Sequence, residues 1–115
     1  MIESGMSDKE LRRLTKGFQA LHSVLRLRIL AALAERESNV RDLEGVLRVS
    51  QPLLSWHLTQ LRQVGFVTAE RVGREVCYRL QPAAFQELVH TMEALLGISL
   101  SDKDYKGKID GTLKG

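Results

Sequence analysis

Residues 50–66 read Ser50-Gln51-Pro52-Leu53-Leu54-Ser55-Trp56-His57-Leu58-Thr59-Gln60-Leu61-Arg62-Gln63-Val64-Gly65-Phe66. Leu54, Leu58 and Leu61 recur at helical intervals and seat one face on a core. Ser50 suits an N-cap, and Pro52 falls in the first turn, where its missing N–H does no harm. Gly65 suits a C-terminal stop, so the spacing predicts a helix from Gln51 to about Val64. Gln51, Ser55, Trp56, Thr59, Gln60, Arg62 and Gln63 remain for its other faces, and none of them is acidic.

Outward from this helix, the upstream stretch predicts another helix beginning after Asn39 and carrying Val40, Leu43, Val46 and Leu47, with a turn near Arg48-Val49. Downstream the pattern turns to β: Phe66–Arg71 and Glu75–Leu80 flank Val72-Gly73-Arg74, which reads as a hairpin connection. Before this block, Ser7 and Glu10 stand at capping-box spacing ahead of Leu11, Leu14, Phe18 and Leu21, which predicts a first helix over Asp8–Leu21. Ser23 caps a second, from about Val24 to Glu35, with Leu27, Leu30, Ala31, Leu33 and Ala34 as its expected apolar face. A last helix begins near Pro82, presents Phe85, Leu88, Met92, Leu95 and Leu96, and stops at Gly97. Residues 1–6 and the Lys-, Asp- and Gly-rich residues 99–115 are expected to be flexible, leaving 7–98 as one domain.

Two short helices joined by a tight turn and followed by a hairpin form a winged helix-turn-helix, a mostly α fold with a β-hairpin wing (α+β). The second helix of such a pair fits the major groove of duplex DNA, while the hairpin reaches the backbone or the minor groove. Gln pairs with adenine, Ser and Thr reach phosphates or bases, and Arg neutralises phosphate. The candidate DNA contacts are therefore Gln51, Ser55, Trp56, Thr59 and Arg62, with Arg74 in the wing. Arg71 and Arg79 add charge beside it, Arg79 ranking lower because it lies close to a core strand. For Trp56 two readings stand: partial burial against the wing or third helix, or apolar contact with a thymine methyl or the sugar backbone.

The bulk composition agrees. The 115 residues suffice for one core, 43% of them are hydrophobic, and the formal net charge of +3 permits a polyanionic partner. Cys77 is the single cysteine, which rules out an intramolecular disulfide and suits a reducing cytoplasm. No basic, then apolar leader and no stretch long enough to span a bilayer is apparent, so the expected location is cytoplasmic, on the nucleoid when DNA is bound. With no Gly-rich phosphate loop and no Ser/His/Asp arrangement, the chain is not expected to be an enzyme, and no cofactor is implied.

The sequence resembles the ArsR/SmtB family of repressors from about Leu14 to Leu96. The likeness is carried by Leu27-Arg28-Ile29-Leu30, by Ser50 to Leu58 with Leu61-Arg62 and Gly65-Phe66-Val67, and by Gly73-Arg74 with Tyr78-Arg79-Leu80. The resemblance implies a repressor and a homodimer joined through its first and last helices. Leu11, Leu14 and Phe18 would then meet Phe85, Leu88, Met92 and Leu95 across the interface, and the dimer would bind an inverted repeat. It also implies DNA contacts at Gln51, Ser55, Trp56 and Arg74. The chain departs from metal-sensing members: residues 37–43 contain no Cys, and the last-helix ligand positions hold Pro82, Ala84, Leu95 and Ile98. These residue types do not bind a transition metal, so a non-metal signal, or none, is expected.

The expected partners are double-stranded DNA and a second copy of the chain, with no membrane partner and no identified small-molecule effector. Two alternatives stay open: a metal-responsive repressor using His22, His90 and Glu93, and a winged-helix module that binds proteins instead of DNA.

Overall fold

The computed structural model describes residues 5–100, in the order α1 (Asp8–Leu21), α2 (Val24–Glu35), β1 (Ser38–Asn39), α3 (Val40–Leu47), α4 (Gln51–Gln63), β2 (Val67–Val72), β3 (Glu75–Leu80) and α5 (Pro82–Leu96). This is the α+β winged helix expected from the sequence. Most of the segments expected to be flexible, residues 1–4 and 101–115, lie outside the described residues.

Capping chemistry fixes where three helices start. Ser7 Oγ accepts the Glu10 N–H at 3.1 Å and the Glu10 carboxylate accepts the Ser7 N–H at 3.4 Å, a complete capping box. Ser23 Oγ accepts the Arg26 N–H at 3.2 Å, and Asn39 Oδ1 accepts the Asp42 N–H at 2.8 Å. The expected cap by Ser50 is corrected. It occupies the N-cap position of α4 with extended backbone, but its side chain makes no cap hydrogen bond. The start of α4 rests instead on Pro52, whose fixed φ suits a first turn.

The core lies among α2, α3, α4 and the base of the sheet. Ile29, Leu43, Leu54, Leu58, Leu61 and Val67 are almost wholly removed from water, with Leu30, Leu33, Leu47 and Phe66 around them. Each such Leu or Ile contributes about 1.5–3 kcal/mol through burial. The apolar face expected for α2 holds at Leu30 and Leu33 and is corrected at its other positions. Ile29, Leu30 and Leu33 are its buried residues, while Leu27, Ala31 and Ala34 face outward. An almost uniformly apolar helix offers no contrast from which to fix its rotation.

The sheet is antiparallel with strand order β1-β3-β2. The two-residue β1 exists through its pairing with β3, Ser38 opposite Tyr78 and Asn39 opposite Cys77. Asn39 therefore both ends a strand and caps α3, and its Nδ2 donates to Glu75 at 3.0 Å, tying the wing to the helix-turn-helix. The wing turn is Gly73-Arg74, between Val72 and Glu75, with Gly73 at φ +65°. Two-residue hairpin turns need this left-handed backbone, which glycine adopts without steric cost.

Candidate nucleic-acid interface

Helix α3 packs on α4, and Leu54, Leu58 and Leu61 turn inward, so the opposite side of α4 is what the fold presents to solvent. Gln51, Ser55 and Thr59 stand at i, i+4 and i+8, one stripe of that side. They are already ordered: Gln51 Nε2 donates to Ser55 Oγ at 2.8 Å, and Thr59 Oγ1 donates to the Ser55 carbonyl at 2.9 Å. One N–H and the carbonyl oxygen of the Gln51 amide remain for the donor–acceptor pair of an adenine edge.

Trp56 lies beside this stripe and is 55% exposed. The guanidinium of Arg26 from α2 sits over its ring, 5.2 Å from the centroid, and the His57 ring meets it edge-on with centroids 4.8 Å apart. His57 Nδ1 accepts a hydrogen bond from Arg26 Nε at 2.9 Å, and burial followed by the Arg26 charge holds the imidazole pKa below its ordinary value.

Arg62 continues the stripe but sits in the last turn of α4, roughly 16 Å along the axis from Gln51. There it lines an open groove of about 890 Å³ with Lys9, Arg12, Arg13 and Lys16 of α1. It is thus placed apart from the Gln51–Ser55–Trp56 cluster. Arg74 is exposed at the wing tip and Arg71 is exposed on β2. Arg79 pairs with Glu37 at 3.1 Å, which directs its charge to the chain itself.

Two cations escaped the sequence reading. Arg48 ends α3 with left-handed backbone, φ 57°, and stands exposed in the turn just before α4. Its place in an Arg-Val-Ser turn was the available signal. Arg26 lies 31 residues before its partner His57, and no local spacing connects the two.

For the expected dimer face, Phe18 is 43% exposed, and Leu11, Met92 and Leu95 are half-buried. Leu14 is buried within the chain, Phe85 stacks on Phe66 with centroids 4.3 Å apart, and Leu88 packs against the core. The outward apolar residues of α5 include Val89 and Leu96. Among the alternative metal ligands, His90 Nδ1 lies 3.5 Å from Glu93, and Glu93 also accepts the Leu100 N–H. No three His, Cys, Asp or Glu side chains among the described residues group to hold a metal ion, and Cys77 is a half-buried free thiol in β3. No helix among the described residues is long and apolar enough to cross a membrane.

Residues 23–69, which span α2 to β2, match the family described as bacterial regulatory protein, arsR family. A biofilm growth-associated repressor from Xylella fastidiosa is 31% identical over 85 residues, 74% of this chain and 75% of that protein. The chain belongs to the ArsR family. The HTH-type transcriptional repressor SmtB of Mycobacterium tuberculosis is 47% identical over 62 residues, 54% of this chain; the chain spans about half that relative's length, 46%. An ArsR-like transcriptional regulator from Rhodococcus sp. RHA1 has a solved structure with a TM-score of 0.72 at 25% identity, covering 90% of this chain and 92% of that one. The ArsR-family match thus coincides with the helix-turn-helix and its supporting helix, and the structural likeness extends over the wing and the flanking helices.

Proposed function

We propose that this ArsR-family chain is a sequence-specific duplex-DNA-binding transcriptional repressor that acts as a homodimer on an inverted repeat. Residues 7–98 form its DNA-binding and dimerisation unit. Gln51, Ser55 and Trp56 read bases, Thr59 and Arg62 meet the backbone, and Arg74 of the wing neutralises a phosphate. The observation that carries this reading is the outer side of α4: a polar stripe with no acidic residue, flanked by the exposed Arg48 and Arg74. An acid there would be repelled by phosphate, whereas these groups match base edges and backbone oxygens.

Dimerisation through α1 and α5 is supported by the apolar surface those helices leave outward, at Phe18, Val89 and Leu96. A two-fold pair of reading helices calls for half-sites about 10–10.5 bp apart, or a multiple of that spacing. The repressor role is supported by the SmtB and Xylella relatives, both of them repressors. The residue types at positions 82, 84, 95 and 98 support a signal other than a transition metal, or constitutive binding, in the cytoplasm.

Selection of bound duplexes from a random-sequence pool tests the proposal. Enrichment of an inverted repeat with helical-turn spacing is the expected result. A pool that stays random after repeated rounds contradicts it.

A further inference from the structure

Trp56 combines high exposure with close restraint. Arg26 covers one face of the indole, His57 meets its edge, and the Arg26 Nε to His57 Nδ1 bond of 2.9 Å closes a triangle of three side chains. Arg26 is itself anchored: its Nη1 donates to the Ala20 carbonyl at 3.4 Å, and its backbone N–H is held by the Ser23 cap. Arg26 makes no ion pair with a carboxylate among the described residues, so its charge is directed at the ring and the imidazole. A guanidinium lying over an aromatic face keeps its N–H groups in a fixed plane for a second partner, a geometry that the compact, strongly hydrated ammonium of lysine reproduces less well.

We propose that Arg26 is a positioning residue for DNA reading. By covering one face of the indole and holding His57 at its edge, it fixes the outward side of Trp56 for apolar contact with a thymine 5-methyl group. Two contacts converge on an aromatic that the fold leaves largely in water, next to the Gln51–Ser55 pair, and a third bond joins the two contacting side chains. A residue serving packing alone would draw the ring inward; this one holds it outward. The inference rests on the DNA-reading role proposed for α4.

The test uses the full chain with Arg26→Lys, which keeps the charge and the alkyl stem, and Arg26→Gln. Trp56 is the only tryptophan, so fluorescence anisotropy decay reports its motion directly. Affinity is measured for a selected duplex, for the same duplex with deoxyuridine replacing thymidine, and for random duplex. The wild type should prefer thymidine by roughly fourfold at the contacted position, the value of one buried methyl. Both variants should lose that preference and show added fast indole motion, while random-duplex affinity and salt dependence stay as in the wild type. Adding Trp56→Ala to either variant should abolish any further effect of position 26.

Retained thymidine preference or unchanged indole motion in the variants overturns the inference. So does a salt slope reduced by about one, which would make Arg26 a phosphate contact. A wild type that selects no duplex overturns the DNA reading itself. A wild type that selects, with variants that keep the preference, overturns only the role of Arg26. If the Gln variant does not fold, the milder Lys variant carries the test.

Discussion

Helices α4 and α5 are of similar length and both have apolar residues at helical spacing, yet they use them differently. In α4, Leu54, Leu58 and Leu61 are completely buried, and the outward residues are mostly polar, with Leu53 and Trp56 as the exposed apolar exceptions. In α5 no residue is fully buried, and Val89 and Leu96 stay exposed on a helix tied to α1 partly by the exposed Arg13–Glu87 ion pair at 3.4 Å. Such an exposed pair contributes at most about 1 kcal/mol. The first helix thus presents a mostly polar face, the proposed reading surface, on a completed core. The second carries apolar surface that the other described residues leave exposed, which is the asymmetry the proposed dimer would use.

The comparison breaks most visibly at Leu58. Leu58→Ala empties a site with no access to water and should cost about 2–5 kcal/mol of folding stability, read by urea unfolding. Leu96→Ala, at 53% exposure, should stay within about 0.5 kcal/mol when the chain is dilute enough to be monomeric. Equal losses at the two positions would erase the distinction between the helices.

A sharper contrast comes from charge. Val89→Lys combined with Leu96→Lys should leave helix content unchanged by circular dichroism but shift sedimentation from dimer towards monomer. On α4, Gln51→Ala should leave assembly untouched and cost about 1–3 kcal/mol of discrimination between selected and mismatched duplexes. Arg74→Ala should weaken all duplexes alike and reduce the salt slope by about one.

The smallest effect concerns pH. Burial, and secondarily Arg26, lower the His57 pKa from its ordinary 6.5, so the unfolded chain takes up this proton first as pH falls. Stability should decline as pH drops through that value and level off below the folded-state pKa. His57→Gln should flatten this part of the stability profile, measured by urea unfolding across the range.

Much of this was legible because local rules dominate at the element ends. Ser7 and Ser23 cap where their spacing says they should, α3 starts after Asn39 as expected, Gly73 turns the wing, and the three leucines of α4 set its rotation. Rules failed where partners are distant or contrast is absent. Strand β1 is two residues long and exists through pairing with Tyr78 and Cys77, some forty positions away. Helix α2 is apolar on nearly every side, so Ile29 could not be told from Leu27 by periodicity. Within the candidate site, the polar stripe of α4 could be read from the chain. The Arg26–His57–Trp56 triangle could not, because it depends on how α2 crosses α4.

The central claim is that α4 and the wing read duplex DNA. The most direct measurement is equilibrium binding of a selected duplex and a scrambled duplex of equal length, followed across salt concentration. The account predicts affinity for the selected duplex at least about 10³-fold higher than for the scrambled one, with log affinity falling steeply against log salt for both. Equal affinity for the two duplexes, or binding indifferent to salt, would contradict it.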